Sequence, residues 1–439
     1  MKKISAVITA LVTGASLTGC TFGASIDTLM APPKLSLDQE QIYNELGSPE
    51  TSIRLKYPKS GKYLSAFIIE DIDGDGGDEA IVFYERLNHA ADENSLRISV
   101  LDKREDGWHS GSDIPAEGSE VEEVMISKLG ANSRINIIIG TSTLNRSEKN
   151  VAIYNYFNDT LIREPTLTLP YSYIGVNDLD MDGQNEFLRL ASSSNGEPAL
   201  AEAYNLDKNG KYHKMSLQLS ESYSDFDISY GKLPNGKLGM YIDAAAGNGM
   251  IQSEVVYMQD RTLQKVSGTP EESTASERSA GCRCFDVDGD GRIEIPFQET
   301  APGNERVAEG EQLKLTEWMR LDSDMKLRKC YTSYYSLNDG YIFIFPEKWL
   351  GRVTLMRDIV NDEIAFCTYS NGSVGRELLK IYCADDAPSR DDRISSGYML
   401  MHTKGESAYL AYIPSGSHAD GDGLSLTAGE LALGFRYRD

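Results

Sequence analysis

Three acidic segments of nine residues each set the strongest constraint on how this chain can fold. They align without gaps, with Asp at the first, third and fifth positions, Gly at the sixth and Glu at the ninth, and they occupy residues 71–79, 178–186 and 286–294. Their first residues are 107 and 108 positions apart. Spacing this regular predicts an internal repeat, and half of it, about 54 residues, suits one supersecondary unit.

Faded copies of the acidic segment lie at the midpoints of both intervals. Residues 127–134 and 230–237 keep Asn, Gly and Lys but have no carboxylate, and each runs into a β-like stretch. A further strand-like segment follows in every unit, at residues 96–102, 151–157, 201–206, 255–258 and 313–319. The chain therefore predicts five units of strand, loop, strand and strand.

Short strands at even spacing cannot bury both faces alone, and they leave unpaired edges. Radial stacking of four-stranded sheets solves both problems. We therefore expect a mainly β fold, with a β-propeller-like repeat domain over residues 50–330 and a smaller α+β domain over residues 331–439. A β-sandwich and a parallel β-helix are the alternatives, but sandwiches lack repeats of this size and β-helix rungs are about half as long.

The oxygen donors of the acidic segments predict calcium sites. Ca²⁺ takes six to eight oxygen ligands, which a tight loop supplies from alternate residues. The expected ligands are the carboxylates of positions one, three, five and nine and the main-chain carbonyl of position seven: Asp71, Asp73, Asp75, Gly77 and Glu79; Asp178, Asp180, Asp182, Gln184 and Glu186; Asp286, Asp288, Asp290, Arg292 and Glu294. The competing interpretation is that Asp and Gly simply form solvated turns.

The segments differ from EF-hands, which need a bidentate Glu at the twelfth position. Val82, Arg189 and Phe297 stand there instead. With their preceding apolar strands, such as residues 67–71 and 284–286, the segments resemble the FG-GAP and VCBS-type repeats of integrin-like propellers. That resemblance implies calcium held between neighbouring strands of one blade. Because one short segment supplies all the ligands, we expect a structural ion rather than a catalytic one.

The first twenty residues have the pattern of a secretion signal. Lys2 and Lys3 precede an apolar stretch over residues 4–16, which is too short for a membrane span. The following Leu-Thr-Gly-Cys20 resembles the bacterial lipobox. The resemblance implies removal of residues 1–19 as a signal peptide, lipidation of Cys20 and attachment to a membrane outside the cytoplasm. Residues 20–49 are predicted to form a tether and a short helix.

The remaining five cysteines are an odd number, so they cannot all pair; they are Cys282, Cys284, Cys330, Cys367 and Cys383. Cys282 and Cys284 are two residues apart on a predicted strand, so we expect both thiols on one buried face. Cys367 and Cys383 lie on two predicted strands. A disulfide between them is possible but depends on the strand register.

A new pattern begins near residue 331. Residues 339–349 are similar to the strand-Pro-x-x-Trp opening of small PsbP-like α+β domains and of C-terminal domains in Gram-positive lipoproteins. Trp349 is expected to be a core anchor. Ser417, His418, Asp420 and Asp422 have side chains used by hydrolases, but they share one Gly-rich stretch, so a turn is the expected structure.

The charge balance excludes one class of partner. The chain has 43 Lys and Arg against 67 Asp and Glu residues, a formal net charge of −24, which would repel nucleic acid. No catalytic residue is assigned. We expect a lipid-anchored extracytoplasmic module that binds or scaffolds an envelope protein or glycan. The alternative is a secreted, envelope-associated hydrolase with its site on the propeller axis.

Overall fold

The computed structural model describes residues 35–47, 53–87, 96–194, 196–246, 249–266, 276–415 and 421–437. These residues form six antiparallel β-sheets and three short α-helices. None of the helices described is long and apolar enough to cross a membrane. The predicted signal peptide and Cys20 lie outside the described residues.

The first three sheets use strands that follow one another along the chain. The first contains β1 Ile53–Leu55, β2 Phe67–Glu70, β3 Glu79–Arg86, β4 Leu96–Arg104 and β5 Gly107–Pro115. The second contains β6 Glu120–Lys128, β7 Ile135–Ser142, β8 Lys149–Phe157, β9 Thr160–Arg163 and β10 Leu169–Tyr171. The third contains β11 Tyr173–Asn177, β12 Glu186–Ala191, β13 Leu200–Leu206 and β14 Tyr212–Gln218.

The other three sheets complete the series. The fourth contains β15 Phe226–Lys232, β16 Leu238–Ala245, β17 Met250–Gln259, β18 Thr262–Lys265 and β19 Arg278–Ser279. The fifth contains β20 Ile295–Thr300, β21 Lys314–Leu321, β22 Leu327–Ser336 and β23 Tyr341–Ile344. The sixth contains β24 Val353–Asp358, β25 Glu363–Ser370, β26 Ser373–Ala384, β27 Met399–Lys404 and β28 Ser407–Tyr412. The last strand, β29 (Phe435–Tyr437), returns to pair with β23 of the fifth sheet.

The helices lie at the beginning and near the end of the described chain. They are α1 Leu37–Leu46, α2 Ala387–Ser395 and α3 Ala428–Gly434. In α1, Ser36 Oγ accepts the backbone N–H of Gln39 and the side chain of Gln39 accepts the N–H of Ser36, which is a capping box. The short helix predicted within residues 20–49 is therefore confirmed.

The strand, loop, strand, strand repeat is present in the sheets. In the first four sheets the loop joins the first two strands of a meander, as between β2 and β3 or between β11 and β12. In the fifth sheet the first strand is reduced to one bridge between Phe285 and Glu294. A mainly β chain built from several antiparallel sheets is thus confirmed.

Neighbouring sheets pack face to face, because alternate residues of a strand point to opposite sides. In β7, Ile137 and Ile139 belong to an apolar cluster shared with the first sheet, whereas Ile138 belongs to a cluster shared with the third. Similar clusters join the third sheet to the fourth, the fourth to the fifth and the fifth to the sixth. The six sheets therefore pack one after another in chain order.

Helix α1 covers the face of the first sheet that points away from the second. Ile42 is fully buried in one cluster with Ala80 and Val82 of β3 and with Trp108 of β5. Ile81, which lies between Ala80 and Val82, faces the second sheet instead. Within the described residues, no buried cluster joins the first sheet to the sixth, so the series begins at a helix.

The fifth and sixth sheets share one aromatic core. Trp349 is completely buried there, donates its Nε1–H to the carbonyl of Leu424 at 2.7 Å and packs against Phe343 and Phe366, which confirms its prediction as a core anchor. The boundary predicted between residues 330 and 331 falls inside β22. Since one cluster spans both sheets, the division into two domains stays a prediction.

The structure corrects one expectation about the cysteines and decides the disulfide that the sequence left open. Cys282 and Cys284 are buried, as predicted, but they lie outside the strands and belong to different apolar clusters. The strand nearest to them is β19 (Arg278–Ser279), which ends before Cys282 and pairs with β17. Cys367 and Cys383 are both free thiols, since Cys367 lies opposite Glu377 and Cys383 lies opposite Tyr409.

Candidate metal centre

The three acidic segments form loops at equivalent places. The first runs from β2 into β3, the second from β11 into β12, and the third leads into β20. In each loop, ligand atoms of three carboxylates lie within 4.8 Å of one another; the groups are Asp71, Asp73 and Glu79; Asp178, Asp180 and Glu186; and Asp286, Asp288 and Asp290. These clusters could hold a metal ion.

The first Asp of each loop organises the turn by accepting backbone N–H groups. Asp71 accepts from Gly74 through Oδ1 (2.6 Å) and from Gly76 through Oδ2 (3.2 Å). The Oδ2 atoms of Asp178 and Asp286 accept the N–H of the sixth-position glycine at 2.7 Å in both loops. The φ angles of these glycines are +92°, +87° and +82° for Gly76, Gly183 and Gly291. Glycine adopts a positive φ without strain, which explains why Gly stands at the sixth position of all three loops.

The ninth-position Glu is buried beneath each loop. The exposed fractions are 4%, 1% and 0% for Glu79, Glu186 and Glu294. One carboxylate oxygen of each accepts the N–H of the second loop residue, at 2.8, 3.0 and 2.9 Å. Burial, reinforced by the neighbouring aspartates, raises the pKa of Glu79 to about 7 and that of Glu186 to about 8. Burial likewise raises the pKa of Glu294 to about 7.

The fifth and seventh positions are linked by a short hydrogen bond. Asp75 accepts the backbone N–H of Gly77 at 2.7 Å, and Asp182 and Asp290 accept those of Gln184 and Arg292, both at 2.9 Å. The Gln184 amide also donates to Asp182 Oδ2 at 3.0 Å. Asp75 and Asp182 fall outside the close carboxylate groups of their loops, as does Glu294 in the third. The seventh-position carbonyls stay predicted ligands.

The donor set of the second loop fits a hard cation. Asp180 Oδ1 is a buried oxygen with no hydrogen-bond partner, and it belongs to the same carboxylate group as Asp178 and Glu186. Burial, with the negative charges of Asp182 and Asp178, raises the pKa of Asp180. Lys237 donates to the main-chain carbonyl of Asp180 (2.5 Å), and its positive charge offsets part of the rise in the pKa of Asp180. A site built from carboxylate oxygens, with more negative than positive charge, is what Ca²⁺ prefers.

Sequence reasoning missed the residue that lies opposite the ninth-position Glu on the next strand. In the first sheet Glu79 pairs with Asp102. The register of β12 and β13 places Asn205 opposite Glu186, and that of β20 and β21 places Arg320 opposite Glu294. The three loops thus have an acid, a neutral amide and a base at the same position. The strand register, which only the sheets supply, was the missing signal.

Arg320 makes the third loop electrically different from the others. Its Nη1 is within 3.5 Å of carboxylate oxygens of Asp288, Asp290 and Glu294. Burial alone would raise the pKa of Asp288, but the Tyr331 hydroxyl, a backbone N–H and Arg320 outweigh it and lower that pKa. In the first loop the corresponding Asp73 has a raised pKa, mainly from burial. The difference between the loops is therefore one of local positive charge.

The loops also touch the neighbouring units. Asn185 of the second loop accepts the N–H of Gly130 through its carbonyl (2.8 Å), and Leu179 accepts that of Leu238 (3.1 Å). The carbonyl of Gly291 in the third loop accepts the N–H of Lys232 at 3.1 Å. Loops that contact adjacent sheets can transmit their own rigidity to the packing between those sheets.

A cavity of about 350 Å³ opens beside the second acidic loop, which contributes Asn185 to its lining. It lies where the chain before β2 meets the first strands of the second and third sheets, and its lining includes Lys62, Tyr63, Glu123, Ser127 and Asn185. Tyr63 donates to Glu70 (2.8 Å) and accepts from Lys62 (2.9 Å). Glu123 is the one acid among the described lining residues, and burial raises its pKa.

Of the candidate hydrolase residues near the C-terminus, the structure describes Asp422. Asp422 accepts two bonds of 2.6 Å from Arg376 Nη2 and lies at a bend of the chain; the turn expected for the whole stretch stays a prediction. Ser417, His418, Asp420 and Cys20 lie outside the described residues.

No family model and no curated protein sequence matches the chain. Among solved structures, the periplasmic gluconolactonase of Pseudomonas aeruginosa is similar at 12% identity and a TM-score of 0.31, covering 60% of this chain and 68% of that one. A Lactobacillus plantarum protein covers 70% and 88% at 10% identity and a TM-score of 0.27. An exo-β-1,3-galactanase of Phanerochaete chrysosporium covers 76% and 82% at 12% identity and a TM-score of 0.25. TM-scores below 0.5 assign neither a fold family nor a function.

Proposed function

We propose that this chain is a lipid-anchored extracytoplasmic module whose β-propeller-like series of sheets is stabilised by calcium and serves to bind or scaffold an envelope component. The observation that carries the calcium part is the buried Glu at the base of each loop, with Glu186 next to the orphaned Asp180 Oδ1. The agreement of these loops with FG-GAP and VCBS-type repeats belongs to the same proposal.

The buried carboxylates make the loops dependent on a counter-charge. Several carboxylates held within 4.8 Å of one another repel when all are ionised. A bound Ca²⁺ would remove that repulsion, since it takes six to eight oxygens. Asp71, Asp73, Glu79 and their counterparts in the second loop would hold the ion. The part played by the ion is charge balance and stiffness.

The ion is structural in this proposal. Each loop draws its acidic ligands from one short segment, and its backbone hydrogen bonds hold that segment closed. The second loop also contacts the second and fourth sheets through Asn185 and Leu179. Ion binding would therefore brace the contacts between sheets, rather than present an open coordination position to a substrate.

The cavity favours binding over hydrolysis. Glycoside hydrolysis commonly needs two carboxyl groups on opposite sides of the bond to be cut. Among the lining residues that the structure describes, Glu123 is the one acid and none is a histidine. Tyr63, Asn185 and Ser127 instead offer an aromatic ring and hydrogen-bonding groups. The cavity is therefore the first place to look for a peptide or glycan contact on this module.

Chelation tests the calcium part. We expect EGTA to lower the melting temperature of the full chain and to have much less effect on the Asp71→Asn/Asp178→Asn double variant. With free calcium at one hundred times the dissociation constant, each site would contribute about 2.7 kcal/mol. Differential scanning calorimetry with and without calcium measures the change. Equal responses of the double variant and the wild-type chain would refute calcium binding by these loops.

Fractionation tests the anchor independently. The proposal predicts that Cys20→Ser releases the protein from membranes into the soluble fraction, because the thiol that would carry the lipid is lost. Cys330→Ser is a suitable control, since Cys330 lies in the folded part and donates to the Trp318 carbonyl. Unchanged membrane association of Cys20→Ser would refute lipidation without affecting the calcium proposal.

A further inference from the structure

We propose that Arg320 takes the place of a calcium ion in the third acidic loop, so that this loop is neutralised by the chain itself while the first and second loops bind Ca²⁺. The inference rests on the proposed function, because calcium binding by those two loops is its reference. It also divides the three similar sequence segments into two kinds of site.

One nitrogen of Arg320 contacts carboxylates from three positions of the loop. Nη1 lies 2.8 Å from Asp290 Oδ2, 3.4 Å from Glu294 Oε1 and 3.5 Å from Asp288 Oδ2. Two of these, Asp288 and Asp290, belong to the close carboxylate group that could hold an ion in this loop, and Glu294 is its predicted ninth-position ligand. Arginine and ion therefore compete for one place.

The Arg320 side chain is held in the third loop by burial and by its charge. Its side chain is only 25% exposed, and Glu294, one of its partners, is completely buried. A guanidinium keeps its charge at any ordinary pH, so it cannot leave the site by losing a proton. For an ion to enter, the whole side chain would have to swing out and its contacts would have to break.

A second residue from a neighbouring strand forms a hydrogen bond to a carboxylate of the third loop. The Tyr331 hydroxyl donates to Asp288 Oδ2 at 2.5 Å, and Tyr331 lies on β22, next to the strand of Arg320. In the second loop the corresponding Asp180 has a buried oxygen with no such donor. In the third loop, Arg320 and Tyr331 reach the carboxylates from neighbouring strands. In the second loop, the buried Asp180 Oδ1 accepts no hydrogen bond.

Exchanging the cross-strand residues provides the test. Native mass spectrometry and calorimetric titration with Ca²⁺ should count two ions on the wild-type full chain. Arg320→Asn gives the third loop the residue found opposite Glu186 and should raise the count to three, with the new affinity within about tenfold of that of the second loop. Arg328→Asn, which removes an exposed arginine paired with Asp322, should leave the count at two.

The reciprocal change uses the second loop. Asn205→Arg should supply the same guanidinium there and reduce the count from two ions to one. This variant also tests the inference if Arg320→Asn does not fold, because it adds a positive charge to the second loop and leaves the third loop unchanged. Retention of two ions by Asn205→Arg would overturn the inference.

Other outcomes separate the inference from the function it rests on. Three ions of similar affinity on the wild-type chain, or an unchanged count in folded Arg320→Asn, would overturn the role of Arg320 and leave calcium binding in place. No ion on the wild-type chain would refute the proposed function, and the inference with it. A count of two that rises to three in Arg320→Asn and falls to one in Asn205→Arg supports both.

Discussion

The second and third acidic loops have nearly the same backbone hydrogen bonds but differ in how their carboxylates are balanced. In both, the first Asp accepts the N–H of the sixth-position glycine at 2.7 Å and a buried Glu accepts the N–H of the second residue. In the second loop Asp180 keeps an orphaned buried oxygen, whereas in the third Arg320 and Tyr331 satisfy the matching Asp288. The turn itself is therefore independent of how its charge is balanced.

This difference teaches that one residue outside a motif can change what the motif requires. The nine residues of the loop fix its shape through local hydrogen bonds. The residue opposite the ninth-position Glu, which is Asp102, Asn205 or Arg320, decides whether the buried carboxylates have a resident counter-charge. A motif scan would rate the three loops as equivalent, and the sheets show that they are not.

The largest expected effect follows from removing the resident charge. In calcium-free buffer, Arg320→Met should lower the free energy of unfolding by about 2 kcal/mol, which is below the range for fully buried pairs because the side chain is partly exposed. Denaturant titration in EGTA measures the loss. Arg328→Met is the control and should cost less than about 0.5 kcal/mol. Equal losses in both variants would show that the third loop does not depend on Arg320.

The next largest effect concerns how the free energy of unfolding depends on pH. The pKa values of Glu79 and Glu186 are raised to about 7 and about 8 in the fold, against a usual value of 4.5. Between pH 5 and pH 8 the folded chain thus binds more protons than the unfolded chain, so in EGTA its stability should fall as the pH rises. Calcium keeps these carboxylates ionised at little cost, so the fall should be much smaller in its presence. If stability fell equally steeply with pH in the presence and absence of calcium, calcium binding by these loops would be contradicted.

A smaller effect is expected at the first loop. Asp102 lies opposite Glu79, and its negative charge raises the pKa values of Glu79 and Asp73. Asp102→Asn should therefore weaken calcium binding there by about fivefold, as expected for one unit charge several ångströms away. Calorimetric titration would resolve this change, and Asp159→Asn, on an exposed turn, is the control. An affinity that rises in Asp102→Asn would contradict the attraction between this carboxylate and the ion.

The smallest effect concerns the seventh position. Gln184 uses its side-chain amide to donate to Asp182, and the predicted calcium ligand is its main-chain carbonyl. Gln184→Ala should therefore change calcium affinity less than about twofold and stability by less than about 0.5 kcal/mol. The same titration measures both quantities. A loss of tenfold or more would mean that the side chain itself takes part in binding.

Much of the fold could be predicted from the sequence because its signals are local. The three loops, the positive φ of Gly76, the capping box at Ser36 and the strand segments all follow from residues close in the chain. The packing of the series was harder to foresee. Helix α1 covers the first sheet through Ile42, and β29 returns to pair with β23, because these contacts join residues far apart in sequence.

The thiols show the same limit. Burial of Cys282 and Cys284 could be predicted from composition, but their placement in separate clusters could not. Cys284 lies within a buried network in which Arg278 pairs with Asp243 at 2.6 Å and Asp243 accepts the backbone N–H of Cys284. Asp243 lies on β16 of the fourth sheet, 41 residues before Cys284 in the chain. No local sequence pattern therefore indicates that the two residues meet.

By itself the sequence determined the shape of each acidic loop, because aspartate oxygens and glycine backbones within nine residues satisfy one another wherever the segment lies. Only the tertiary structure decided that an arginine side chain reaches the carboxylates of the third loop. Arg320 comes from a later strand, and its approach to Asp290 and Glu294 depends on the register of β20 and β21. Electrostatic interactions depend on distance in space rather than on separation along the chain, so this part of the site appears only when the sheets are assembled.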